Sequence, residues 1–160
     1  MTKILQCISP IDGSVYLERE TLAPGAAFSG VARARAAQLD WAARPLQERV
    51  ELCLKAVAEV GQTVDRMAIE LAHQMGRPVR YGGEFGGFEE RALYMGKIAA
   101  SSLESLVIEE SSSFRRLIKR ESHGVIFVVA PWNYPYLIAV IALGPGLIAG
   151  NAEILKHATQ

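Results

Sequence analysis

Pro131-Trp132-Asn133-Tyr134-Pro135 sets a large aromatic and a neutral amide between two prolines, whose rings fix the backbone and keep it from becoming helix early. An immobilised Asn amide can donate to an oxygen that gains negative charge during a reaction, and removing one such donor costs about 3 kcal/mol at comparable sites. Asn in a turn more often satisfies its own backbone, and from the residues alone that reading leads by about two to one. Lys156, at the end of a later apolar run, is either a solvated charge or a contact to a hydroxyl or phosphate.

The other reactive groups form no constellation. The two cysteines, Cys7 and Cys53, are too few for a disulfide framework and lack CxxC spacing, so both are expected to be inert or structural. Glu89-Glu90 and Glu109-Glu110 are adjacent, and adjacent helix residues point in different directions, so solvated faces are expected rather than an acid/base pair. His73 and His123 have no partner at metal-ligand spacing, and no metal is expected. Gly82-Gly83-Glu84-Phe85-Gly86-Gly87 is glycine-dense but is not GxGxxG and follows no strand, so it reads as a flexible lead-in to a helix.

These groups depend on the elements that hold them. Val125-Ile126-Phe127-Val128-Val129-Ala130 is an apolar run without alternation, as expected of a parallel strand covered on both faces. The spacing predicts a helix over 136–149, a turn at Gly150-Asn151 and a second parallel strand over 152–156. That is one strand-helix-strand unit of an open α/β sheet. Ligands collect at the carboxyl ends of such strands, so the residues after Ala130 and those around Lys156 should share one crevice.

Upstream the pattern is mainly helical. A hairpin is expected around Asp12-Gly13, then a surface helix over 26–43 with Phe28, Val31, Leu39 and Ala42 near helical spacing. A second helix carries Val50, Leu54 and Val57. A third has a stripe from Val64 to Met75 and a stop at Gly76 and Pro78, and a fourth runs from Phe85 to about Leu103. Ser111-Ser112-Ser113 reads as a polar break, followed by an exposed basic strand over 114–120.

Composition excludes several classes. Half of the 160 residues are hydrophobic, enough for a real core, and 17 Lys plus Arg balance 17 Asp plus Glu. No overall field draws the chain to nucleic acid or an anionic membrane surface, so a small-molecule partner is expected. The apolar stretch over 125–149 exceeds the roughly 20 residues of a spanning helix, but Pro131, Asn133, Pro135 and Gly144-Pro145-Gly146 interrupt it. A buried strand, turn and helix is expected instead. The amino terminus carries no secretory pattern, and a reducing, cytoplasmic setting fits the cysteines.

The turn at 131–135, followed by Leu143-Gly144-Pro145-Gly146-Leu147-Ile148-Ala149-Gly150-Asn151 and Ile154-Leu155-Lys156, resembles the aldehyde dehydrogenase superfamily in order, content and spacing. Ser9-Pro10-Ile11-Asp12-Gly13, Pro45-Leu46-Gln47-Glu48-Arg49 and the arm over 114–120 extend the resemblance across the chain. It implies an incomplete Rossmann-like cofactor-binding domain of α/β class: a helical part over 1–110, a β arm over 111–123 like the family's oligomerisation strand, and the first strand-helix-strand over 124–160. It implies oxidation of an aldehyde to an acid with NAD or NADP through a cysteine thiohemiacetal, in a homodimer or homotetramer. Asn133 matches the family's oxyanion donor. Val129, Ala130, Pro131 and Trp132 match the strand end lining the dinucleotide, and Lys156 the lysine that contacts the adenosine ribose or its phosphate.

His157 stands where many members have Pro or a small residue, and Thr159 where NAD-preferring members often carry Glu. A carboxylate there would repel a 2′-phosphate, so Thr159 leaves NADP open. Neither cysteine matches the family's nucleophile, the general-base Glu has no counterpart, and the 160 residues are expected to be inactive alone. The alternative is a non-catalytic truncated product, at most a weak nucleotide-binding or subunit-association module.

Overall fold

A computed structural model describes residues 3–158. The chain opens with an antiparallel hairpin of β1 (Ile4–Ile8) and β2 (Val15–Glu20), closed through the Asp12-Gly13 turn. Four helices follow: α1 (Pro24–Ala43), α2 (Leu46–Gly61), α3 (Val64–Met75) and α4 (Phe85–Leu103), with a short 3-10 turn at Val79–Tyr81. Gly76 ends α3 in the left-handed region, as its stop signal predicts. A second hairpin, β3 (Leu106–Glu110) with β4 (Arg115–Ile118), leads to β5 (Val125–Val129), α5 (Pro135–Ile148) and β6 (Ala152–Lys156). β5 and β6 are parallel neighbours, and each of the three sheets has two strands among the described residues.

The core lies where α2, α4 and α5 cross. Val50, Ala99 and Ile148 form one buried cluster and Val57, Ala92 and Val140 another, each buried Val or Ile side chain contributing roughly 1.5–3 kcal/mol. These contacts fix α5, and α5 carries the turn at 131–135 on its amino-terminal end.

α1 is the expected surface helix, and two other expectations, the cover of β5 and the start of the arm, need correction. In α1, Phe28, Val31 and Leu39 are exposed and Gln38 is the buried residue. Gln38 donates to the Gly150 carbonyl at 3.0 Å and Trp41 to the Leu147 carbonyl at 2.7 Å. The helix therefore docks by hydrogen bonds to the end of α5, where carbonyls lack intrahelical partners. β5 is not covered evenly on both faces: Val128 is buried, whereas Phe127 and Val129, toward its carboxyl end, are 65% and 60% exposed.

The arm begins at Leu106, not after residue 110. Ser111-Ser112-Ser113 forms the connection of a hairpin, with the Ser111 hydroxyl accepting from the Phe114 backbone at 3.2 Å. Its basic residues face acids across the hairpin, Arg115 with Glu110 and Arg116 with Glu109, exposed pairs of small energetic value. The glycine-dense segment leads into α4 as expected, with open space beside Gly82 and Gly86. Gly82 has φ +68° and ψ −172°, a glycine conformation. Gly83 lies against Met67 and the backbone of α3, and Glu84 beyond it is buried.

Candidate functional site

The parallel register pairs Val129 with Lys156, and the Ala130 N–H donates to the Lys156 carbonyl at 3.0 Å. The two strands thus end side by side, the position where open α/β sheets bind ligands. Val129 and Lys156 are exposed there, with the Lys156 ammonium donating to the His157 carbonyl at 2.9 Å, while Ala130 is buried. Thr159 lies outside the described residues.

Asn151, read from the sequence as a turn residue, is buried and ties the unit together. Its Oδ1 accepts from the Gly124 N–H at 3.0 Å and its Nδ2 donates to the Gly146 carbonyl at 2.9 Å. One side chain thereby joins the start of β5 to the last turn of α5 immediately before β6.

The turn is held from outside. Tyr134, the N-cap residue of α5, supplies no side-chain cap, and Pro135 at the first position has no N–H. The free N–H groups of Tyr136 and Leu137 both donate to Glu84 Oε2, at 3.0 and 2.9 Å. Glu84 Oε1 pairs with Arg77 at 2.7 Å, the two side chains being 1% and 14% exposed. A second guanidinium nitrogen of Arg77 donates to the Asn133 carbonyl at 2.9 Å, and the guanidinium carbon lies 4.6 Å from the Tyr134 ring centroid.

Among the described residues, the Asn133 side-chain amide takes no part in closing this turn; its backbone carbonyl does, through Arg77. The amide is exposed and available to a ligand. Sequence reasoning missed Arg77, Glu84 and Asn151. One signal was present: a helix that starts Tyr-Pro, with no Ser, Thr, Asp or Asn at its N-cap, needs an acceptor from another element.

Ala130 and Trp132 also line a cavity of about 400 Å³, closed by Leu71 and Phe88 on the helical side and by Tyr136 and His157 at its polar margins. Burial, with the Glu70 and Glu84 carboxylates adding to it, pushes the Tyr136 phenol up and keeps it protonated. Asn133, Val129 and Lys156 stand apart from this cavity. Cys7 lies in the first hairpin and Cys53 on α2, and burial pushes both thiols up. A protonated thiol is a poor nucleophile.

A family model described as the aldehyde dehydrogenase family matches residues 2–160. This chain belongs to the aldehyde dehydrogenase family. It is 33% identical over 141 residues to an NADP-dependent glyceraldehyde-3-phosphate dehydrogenase of Triticum aestivum, covering 79% of this chain and 27% of that protein. It is 28% identical over 158 residues to a 4,4'-diapolycopene aldehyde oxidase of Methylomonas sp, covering 95% and 30%. A P. syringae indole-3-acetaldehyde dehydrogenase mutant, solved with NAD+ and IAA, superposes with TM-score 0.88 at 26% identity over 98% of this chain and 32% of that one. The chain thus spans about a third of the length of these relatives. Its small sheets and helices constitute part of a Rossmann-like domain.

Proposed function

We propose that the protein containing these residues oxidises an aldehyde to a carboxylic acid with NAD+ or NADP+, and that this stretch supplies the oxyanion donor and one wall of the cofactor site. A single observation carries the reading: Asn133 presents its side-chain amide from a clamped turn just beyond β5, whose last residue, Val129, pairs with Lys156 in the parallel register. The neutral, exposed strand end and the adjacent ammonium suit a dinucleotide, with Val129, Ala130, Pro131 and Trp132 lining it and Lys156 reaching its ribose or phosphate. When bound, the dinucleotide accepts the hydride.

The chemistry assigned to these residues is electrostatic. As a thiolate adds to the aldehyde carbon, the carbonyl oxygen gains negative charge, and the Asn133 N–H donor stabilises it without reorganising. The oxygen becomes a carbonyl again as hydride leaves, and water then hydrolyses the thioester to the acid. The thiol is not assigned to Cys7 or Cys53, both raised by burial, so these 160 residues alone are not expected to oxidise aldehydes. Thr159 puts no carboxylate against a 2′-phosphate, which leaves both dinucleotides in play. The exposed β3–β4 hairpin, with Leu106, Ile108 and Ile118 all more than half exposed, supports pairing with further subunits in a homodimer or homotetramer. Two reduced cysteines suit a cytoplasmic setting.

The test assays the intact protein for NAD(P)H formation with NAD+ and NADP+ over straight-chain aldehydes from propanal to decanal and benzaldehyde. Asn133→Ala should lower kcat about 10²- to 10³-fold. Absence of turnover across the panel, or a wild-type rate for Asn133→Ala, sinks the reading.

A further inference from the structure

The geometry points to Arg77 and Glu84 as positioning residues that fix Asn133 for catalysis through the backbone on both sides of Pro135. This inference rests on the reading of Asn133 as the oxyanion donor. The two side chains come from the segment between α3 and α4, more than 45 residues before the turn.

Glu84 acts on the helix side. With no local cap and a proline at the first position, α5 presents the N–H groups of Tyr136 and Leu137 to the interior. A single carboxylate oxygen takes both, and its negative charge lies at the positive end of the helix dipole. Arg77 acts on the turn side. Its guanidinium spans from Glu84 Oε1 to the Asn133 carbonyl and lies over the Tyr134 ring, a two-pronged geometry that a lysine ammonium does not reproduce. Residues 133, 134, 136 and 137 are therefore all held by one ion pair.

The consequence for chemistry follows from how oxyanion donors work. Their value comes from being in place before charge develops, and a displacement of about 1 Å costs on the order of 10²-fold in rate. The turn has no hydrogen bond of its own among residues 131–133 to resist such a shift. Among residues 131–133 the carbonyl of Asn133 is the one with a hydrogen-bond donor, and that donor is Arg77. The conformation that Gly82 permits is what turns Glu84 inward from the start of α4.

The experiment uses the intact protein with the aldehyde it oxidises fastest and compares Arg77→Lys, Glu84→Gln and Asn133→Ala with both double variants containing Asn133→Ala. Arg77→Lys keeps the charge facing Glu84 and loses the bridge, so it remains informative if Glu84→Gln folds poorly by far-UV circular dichroism. Each single variant should lower kcat about 10- to 100-fold, with KM for the dinucleotide unchanged within about twofold. In the Asn133→Ala background the same substitutions should have almost no further effect on kcat, because the donor they position is gone. Fully additive losses there mean a general structural role and overturn the proposal. Wild-type kcat in both single variants, with Asn133→Ala impaired, overturns it while sparing the Asn133 reading. A wild-type rate for Asn133→Ala removes the reading and the proposal together.

Discussion

Glu153 gives a pH prediction whose size can be worked from the structure. It sits on β6 with both carboxyl oxygens buried and, among the described residues, without a hydrogen-bond partner. Oε1 lies where a Cβ on Gly146 would stand, so the carboxyl occupies space that only a glycine in α5 leaves open. Burial pushes its pKa up from 4.5 to about 7. Below the unfolded value the group is protonated in both states and costs nothing electrostatically. Between the two values the folded state binds more protons, so stability falls as pH rises, and above about 7 the whole cost is present.

At about 1.4 kcal/mol per pKa unit, the full cost is about 3.5 kcal/mol, and the narrower window with partial exposure of the side chain reduces it to roughly 2 kcal/mol between pH 5 and pH 8. Glu153→Gln keeps the shape and removes the charge. Urea unfolding of both proteins at the two pH values should show the variant gaining on the wild type by about that amount at pH 8 relative to pH 5. A gap between variant and wild type that is the same at both pH values, within about 0.5 kcal/mol, would refute the buried, unpartnered carboxyl as its cause.

Two further perturbations probe the same unit. Asn151→Ala leaves the Gly124 N–H without its buried partner, while the Gly146 carbonyl keeps the backbone N–H of residue 151, and it should cost about 1–3 kcal/mol by urea unfolding, with a loss under about 0.5 kcal/mol contradicting the tie between β5 and α5. Lys156→Ala should raise KM for the dinucleotide about tenfold, the worth of one charge-assisted hydrogen bond, while kcat stays within a few-fold. An unchanged KM would remove Lys156 from the cofactor site.

Much of the local structure is legible in the chain. The stripe from Val64 to Met75 with Gly76 beyond it forms α3, and the apolar run from Val125 forms β5, because hydrophobic period and stop residues act over a few neighbours. α1 is the surface helix its composition suggests, but the way it docks is not legible. Its docking depends on Gln38 and Trp41 finding carbonyls more than 100 residues away, and no local periodicity encodes a distant acceptor. In the arm, Glu109 and Glu110 are solvated as their spacing suggests, but only the hairpin pairing sets Arg116 and Arg115 opposite them.

At the site, the sequence by itself determined the chemistry on offer and the frame that bears it. An amide between two prolines, two strands that end together and a lysine on the second of them all follow from residue type and spacing. Only the tertiary structure decided what the amide is free to do. Asn133 leaves its side chain unspent because Arg77 takes its carbonyl and Glu84 takes the helix N–H groups beyond Pro135. That exchange joins residues 77, 84 and 133–137 across two helices, and a buried polar group accepts whichever partner the fold brings within about 3 Å, however far along the chain it lies.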